Sequence, residues 1–368
     1  MKIAITGGAG FIGSHLTRGY LNAGHDVVVI DTLVSGSSYQ NARPREPISP
    51  EYLPLDPRAR FYQVDIRDGR LSTILQQERP DVVSHHTGQR EPIVPTEQVL
   101  IDADVHVRGL LNVLDACISA SVSKLIFASA GNNLYACAEA DALPIKEDAA
   151  LCPRRPSDIS KVAGEWYVRY YTRQYGLTHT ILRYADVYGD IEGEQAQHPL
   201  SYFVKMLLEH ARPVIRGTGK DRRDALFIDD VVRANLHALE RGKNVTLHIS
   251  SSRAYDLNAF YSAAAQLLHS DLSPVYVSRS LTAAPTIALD NTLAQEALGW
   301  HPEIPFSEGV RRVVEVAQRS LQSASPSPQA HKDAKELLDA PLEPSTDGVY
   351  AVSAARETEY RTLATALA

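Results

Sequence analysis

Residues 3–13, IAITGGAGFIG, decide the fold of this chain. Ile3 to Ile5 read as an apolar strand, Gly7, Gly10 and Gly13 as a turn, and Phe11, Ile12, Leu16 and Leu21 as the apolar positions of a helix. Gly7 permits a tight strand-to-helix turn, Gly10 lets the backbone approach a pyrophosphate without a Cβ in the way, and Gly13 lets the helix pack closely on the strand. Phosphates would then meet free N–H groups at the positive end of a helix dipole. A glycine-rich turn alone is weak evidence, because turns without ligands use the same residues. Here a second apolar strand, Val27 to Ile30, ends in Asp31, roughly 20 residues on, where a carboxylate accepts hydrogen bonds from an adenosine ribose and repels a 2′-phosphate. NAD, not NADP, is the expected cofactor.

The 368 residues suffice for one large domain or two modest ones, and 44% hydrophobic with 22% charged residues is an ordinary globular composition. A net charge of −7 and the lack of a dense Lys/Arg stripe argue against a nucleic-acid partner. Cys117, Cys137 and Cys152 form no CxxC pair and are too few for a disulfide framework, so free thiols in a reducing interior are expected. The first strand starts at residue 2 and leaves no room for a signal peptide, and no apolar run approaches a membrane span. Cytoplasmic placement, away from the membrane, is expected. His179, His198 and His210 fall on different segments without ligand spacing, so no metal site is expected.

Downstream, residues 32–60 form a Pro/Ser-rich loop near the adenosine end, followed by strands at 61–64, 81–85, 124–129 and 179–183. Helices are expected at 71–77, 96–120 and 158–175. This alternation predicts an α/β Rossmann-type fold with a doubly wound parallel sheet. Beyond Tyr184 helices near 200–210, 228–239, 257–267, 293–298 and 306–318 alternate with short strands at 213–216 and 247–250. The expected division is an NAD-binding domain over 1–183, a smaller mixed α/β C-terminal substrate region over 184–319, partly interleaved with the first, and a flexible Ser/Ala/Pro-rich tail over 320–368. The last fifteen or so residues could form an amphipathic docking helix.

These residues resemble the extended short-chain dehydrogenase/reductases, specifically the NAD-dependent nucleotide-sugar epimerase/dehydratase group, over about 1–318. The carriers are TGGAGFIG at 6–13, Asp31 with Leu33 and Ser35-Gly36, Asp65-Ile66, His85 through Gln89, Ser160-Lys161 with Ala163-Gly164-Glu165, Leu182-Arg183-Tyr184 with Val187-Tyr188-Gly189, Arg223-Asp224 with Asp229-Asp230, and Leu298-Gly299-Trp300 with Pro302. The resemblance implies a nucleotide-sugar substrate, Asp65 and Ile66 beside the adenine, His86, Thr87 and Gly88 beside the cofactor's ribose or nicotinamide side, and Lys161 on the nicotinamide ribose. It also implies Arg223 on the diphosphate, Asp186, Tyr135 and Tyr188 at the substrate, and a homodimer through the helices at 96–120 and 158–175.

The proton-handling residues depart from the family pattern. The tyrosine expected four positions before Lys161 is Ser157, whose hydroxyl is too weak an acid, and too short, to act as the phenolate unaided. The Ser or Thr expected after the fifth strand falls on Ala130 or Gly131, with Ser129 in reach only if the loop shifts. Residue 86 is histidine in place of an apolar residue, residue 106 is histidine in place of asparagine, and Asp186 replaces an asparagine of the LRYxN pattern. A carboxylate there cannot donate to a substrate oxygen and repels a diphosphate. His86 could act as a substitute base or merely pack by the cofactor, and Asp158 could be a base or a helix N-cap. His85 reads as a buried, hydrogen-bonded strand-end residue, and Tyr167, Tyr170 and Tyr171 as core or dimer contacts. Three readings follow: an epimerase/dehydratase with a non-standard acid/base set, a catalytically inactive NAD-binding pseudoenzyme or partner subunit, or an oxidoreductase or lyase acting on a different small molecule.

Overall fold

Short runs rich in β-branched residues pair side by side because neither face of the sheet they build is left to solvent. The computed structural model describes residues 1–33, 56–88, 97–137, 143–189, 198–278 and 286–324. Its strands are β1 (Lys2–Thr6), β2 (Asp26–Asp31), β3 (Arg60–Gln63), β4 (Val82–His85), β5 (Lys124–Ala130), β6 (Thr178–Tyr184), β7 (Asp186–Tyr188), β8 (Val214–Arg216), β9 (Arg222–Phe227), β10 (Val245–Ile249), β11 (Ala254–Asp256) and β12 (Val275–Val277). Seven of them form a sheet in the order β10-β6-β5-β4-β1-β2-β3, with every neighbouring pair parallel. The chain winds outward in both directions from β1, so the crevice for a ligand opens where β1 and β4 lie side by side, beyond their carboxyl ends. Thr6 pairs with His85 there, one residue before Gly7 and His86.

The helices are α1 (Phe11–Asn22), α2 (Arg70–Glu78), α3 (Glu97–Ala103), α4 (Gly109–Ser119), α5 (Pro156–Tyr175), α6 (Pro199–Leu208), α7 (Ile228–Glu240), α8 (Leu257–Leu267), α9 (Thr292–Leu298) and α10 (Phe306–Ala324). One face of the sheet carries α2, α4 and α5, whose Leu71, Leu75, Leu110, Val113 and Val168 bury against Val28, Val83, Leu125 and Phe127. Helices α1 and α7 pack together on the other face. Because side chains alternate along a strand, consecutive residues point to opposite helix layers. α5 starts at Pro156, with φ preset for a first helical turn, and stops at Gly176, which takes the left-handed conformation at φ +76°. Residues 315–368 separate as a second unit, of which 325–368 lie outside the described residues.

Several expectations are corrected. The helix expected over 96–120 contains a π-helical turn, Asp104–Arg108, between α3 and α4, and such a turn re-aims the side chains around it. The strand at 245–249, which falls in the 184–319 region expected to be partly interleaved with the first, pairs with β6 at the edge of the large sheet. β7, β9 and β11 form a small sheet and β8 pairs with β12, of which only β8 was expected. The cysteines are not all free. Cys137 and Cys152 form a disulfide with Cα atoms 5.8 Å apart, because a bridge between Tyr135 and Cys152 brings the two segments together, and Cys117 is free and buried. No sequence spacing signals that pairing.

Candidate active site

The glycine turn is built as its spacing requires. Gly7 has φ +74°, and a Cβ on it would lie 2.7 Å from the Thr87 nitrogen, so the extension of β4 packs directly on the turn. A Cβ on Gly13 would overlap the Gly7 carbonyl, whereas one on Gly10 would meet only that carbonyl oxygen, at 3.3 Å. Gly10 caps α1 with no side chain, which leaves the first-turn N–H groups of Phe11 and Ile12 for a ligand. Asp31, at the end of β2, accepts from the N–H groups of Ala9 at 3.0 Å and Leu33 at 2.9 Å, which hold its carboxylate beside the turn. Burial pushes its pKa upward against those hydrogen bonds.

Around this turn, Thr87 Oγ1 and His86 Nδ1 are buried without a hydrogen-bond partner among the described residues. Buried polar atoms are nearly always satisfied, so two orphans at the switch point mark a cradle for a polar ligand. Gly88 lies exposed at its rim. Asp65 is bound on both oxygens by Arg67, which also reaches Asp104, and Ile66 is buried beneath Gly109. Ser35, Gly36 and Gln89 lie outside the described residues.

The two strand-end histidines point to opposite layers. His85 stacks on Phe127, 5.7 Å between centroids, beneath α5, and its Nδ1 pairs with Thr6 Oγ1 at 2.7 Å. His86 turns toward α1, where Nε2 meets Ser84 Oγ at 2.9 Å and the ring stacks on Tyr184. Its ring is enclosed although part of the residue reaches the surface. That enclosure, with Lys161 nearby, lowers its pKa to about 3. His86 is therefore a neutral imidazole with little basicity, on the layer away from α5.

On α5, Lys161 Nζ donates to the Ala128 carbonyl at 2.8 Å and lies 5.1 Å from the centre of the Phe127 ring. Burial lowers its pKa to about 8, with Asp102 and Glu165 opposing the shift. Ser157 stands one turn earlier on the same helix. Asp158 is not an N-cap: Arg155 holds that position, and its guanidinium binds both carboxylate oxygens of Asp158, at 3.0 and 3.1 Å. His106 lies 3.5 Å from Asp102, which accepts from Ser160 Oγ at 2.6 Å; burial, then Lys161, lowers His106 to about 3.

Ser129 is turned inward. Its hydroxyl donates to Glu165 Oε1 at 2.7 Å, and Glu165 is also clamped by Arg183 at 2.8 and 2.7 Å. Tyr135 does not line an open site as expected. It is 1% exposed, its hydroxyl is shared between Arg183 and His248, and burial raises its pKa to about 12. Tyr188 is likewise buried, among Phe227, Phe260 and Phe306. Sequence reasoning missed this Ser129–Glu165–Arg183–Tyr135 network, whose members are distant in the chain.

At Gly131 a Cβ would overlap the Tyr184 carbonyl, so the backbone has no room for a serine there. Ala130, partly exposed at the end of β5, can carry one. Ala130→Ser is expected to keep the melting temperature within a few degrees, whereas Gly131→Ser, by overpacking, loses about 1–3 kcal/mol in urea unfolding. Equal stabilities would refute this assignment. Across the crevice, Arg223 on β9 donates to Asn133 Oδ1 at 2.5 Å and lies 3.6 Å from Asp186 Oδ2 on β7. Asp186 therefore offsets the charge of the arginine expected to hold a diphosphate.

A 3-2-1-4-5-6 sheet with a glycine cradle at its switch point, an acidic β2 terminus and a lysine on the helix after β5 defines a Rossmann-type dinucleotide-dependent protein of the short-chain dehydrogenase/reductase type. The sequence model of the NAD dependent epimerase/dehydratase family matches residues 3–250, and the chain belongs to that family. It is 32% identical over 313 residues to a putative UDP-glucose 4-epimerase of Methanocaldococcus jannaschii, covering 85% of this chain and 97% of the relative. It is 31% identical to the UDP-glucose 4-epimerase of Mycolicibacterium smegmatis, covering 88% of this chain and 100% of that one. The crystal structure of Thermotoga maritima UDP-glucose 4-epimerase with UDP-glucose superposes with a TM-score of 0.79 at 32% identity, covering 87% of this chain and 100% of that chain. The Thermus thermophilus UDP-glucose 4-epimerase complex with NAD gives 0.73 at 28% identity, covering 86% and 99%. NAD is the cofactor of this family, and the cradle of Gly7, Gly10, Gly13, Asp31 and Thr87 fits it.

Proposed function

We propose that the chain acts on a nucleotide sugar, epimerising or dehydrating its hexose through a transient oxidation, with an acid/base set that uses no tyrosine. The observation that carries this reading is the cradle itself: the glycine turn, Asp31 and Thr87, whose Oγ1 has no partner among the described residues, lie at or just beyond the carboxyl ends of β1, β2 and β4, and Lys161 is bonded to the Ala128 carbonyl near the end of β5. When bound, NAD supplies the acceptor and later the donor of a hydrogen with its electron pair. Asp31 and the α1 N-terminus hold the adenosine and pyrophosphate portion, Lys161 holds the nicotinamide ribose, and Arg223 meets the substrate diphosphate by charge-assisted hydrogen bonds. Relatives named as UDP-glucose 4-epimerases, one of them solved with UDP-glucose, support the substrate class.

Of the candidate bases, Asp158 is tied to Arg155 and His86 sits on the layer away from α5, so neither is favoured. The test is NMR of NAD-loaded protein with UDP-, dTDP- and GDP-hexoses. A new sugar signal is the expected result, and an inert panel from folded, NAD-loaded protein would sink the reading in favour of a binding-only role.

The same reading includes a homodimer. Val99 and Leu100 on α3 and Ile159, Trp166 and Tyr170 on α5 are 47–76% exposed, and these two helices pack side by side. An apolar strip of this kind suits a second copy better than water. Tyr171, by contrast, is buried and bonds Asp115. Trp166→Glu is expected to convert a dimer to monomer in light scattering, and a wild-type monomer would contradict the proposal. Among the described residues no helix is long and apolar enough to cross a membrane and no cluster could hold a metal ion.

A further inference from the structure

We propose that the Cys137–Cys152 pair is a thiol–disulfide exchange site, opened by an external dithiol, and that opening it slackens the chain leading into α5. The chemistry involves only the chain's own sulfurs and is independent of the function proposed above. Cys137 is exposed and Cys152 half-buried, so the bond can be reached from solvent. Arg154 Nη2 lies 4.0 Å from Cys137 Sγ, where a guanidinium favours the thiolate over the thiol. Exposed disulfides are the labile ones, since a thiolate must approach a sulfur of the bond. Cys117 on α4 is the contrast: it is buried in the core, and burial pushes its thiol pKa upward.

The bond joins two segments that differ in how firmly they are held. Residues 131–137, after β5, have anchors besides it: Asn132 Nδ2 donates to the Asp224 carbonyl at 2.7 Å, Asn133 accepts from Arg223, and Tyr135 is buried against Arg183 and His248. Residues 148–155 are half-buried or exposed throughout and run into Pro156, the first residue of α5. Beside the disulfide, the Cys152 N–H donates to the Leu134 carbonyl at 2.7 Å, in an isolated bridge between Tyr135 and Cys152. An isolated bridge near the surface opens readily, because water competes for its hydrogen bond. The covalent bond holds that bridge closed. Slack therefore arises at the start of the helix that carries Lys161.

The exchange balances. One thiolate of the dithiol bonds to Cys137 Sγ, the Cys137–Cys152 bond breaks, and its electron pair leaves on Cys152 Sγ, which takes a proton from water. The second thiolate then attacks the dithiol's own sulfur in the mixed disulfide and releases Cys137 as a thiolate beside Arg154, to be protonated in turn. The cysteine pair is reduced, and the dithiol departs oxidised to a disulfide.

The test uses the full chain with dithiothreitol as the dithiol and no denaturant. Mass spectrometry after iodoacetamide should find Cys137 and Cys152 alkylated only once dithiothreitol has acted, with Cys117 unlabelled in both states, and oxidised glutathione should restore the bond. Hydrogen exchange at the Cys152 amide and tryptic cleavage after Arg154 should each quicken about tenfold or more on reduction, while amides of β5 keep their rates. Cys137→Ser combined with Cys152→Ser should show the fast rates with or without dithiothreitol. The wild-type comparison decides the matter even where that variant does not fold. A pair that never links with oxidised glutathione, a bond that resists dithiothreitol in the folded protein, or a bond that opens with exchange and cleavage unchanged overturns the proposal. An inert sugar panel alongside the quickened rates leaves the exchange site standing and counts only against the proposed function.

Discussion

Gly10→Val is expected to weaken NAD binding by about ten- to a hundredfold in calorimetry while leaving the melting temperature near wild type. A Cβ at Gly10 meets only the Gly7 carbonyl oxygen, at 3.3 Å, a single tight contact that a shift of a few tenths of an ångström relieves, yet the added side chain projects where a pyrophosphate approaches the α1 N-terminus. An intrusion of this kind is worth about 1–3 kcal/mol, and each 1.4 kcal/mol or so is tenfold in Kd. Gly13→Val is the contrast: its Cβ overlaps the Gly7 carbonyl, so stability and NAD binding should fall together. Unchanged NAD affinity in Gly10→Val would mean that the turn is not the cradle.

Glu165→Ala is expected to destabilise the protein by about 3–5 kcal/mol in urea unfolding, since it strands the buried Arg183 guanidinium without its partner. Ser129 loses its acceptor as well. A loss below about 1 kcal/mol would show that the network is not a structural keystone. Burial opposes the charge of Glu165, but the hydrogen bonds and charge of Arg183 outweigh it and hold the carboxyl below its ordinary pKa. Its folded pKa being depressed, this contribution is fully present above the ordinary glutamate pKa and is lost as pH falls through the folded value.

The cofactor half of the site was legible because it depends on local geometry. Gly7, Gly13 and Asp31 each answer a constraint set by residues nearby in sequence or on the adjoining strand. The proton-handling half was legible mainly as absences, Ser157 and Ala130, since what surrounds Lys161 is assembled from β4, α3 and α5. Ser129 and Tyr135 misled for the same reason: their partners Glu165, Arg183 and His248 arrive from other strands and helices. β7 and β11 have three residues each, too few for a period to register, and Arg222-Arg223-Asp224 masks the start of β9. The π-helical turn at 104–108 adds a residue to one helical turn with no proline or glycine inside it, Gly109 following only at its end.

The central claim is that an intact NAD cradle works beside a rebuilt proton-transfer site. Its most direct test is stopped-flow mixing of NAD-saturated protein with UDP-glucose and with UDP-galactose, following the absorbance of reduced nicotinamide. The expected trace rises and then decays as the sugar is oxidised and reduced again. A flat trace with NAD and sugar both bound, repeated across dTDP- and GDP-hexoses, would contradict the account.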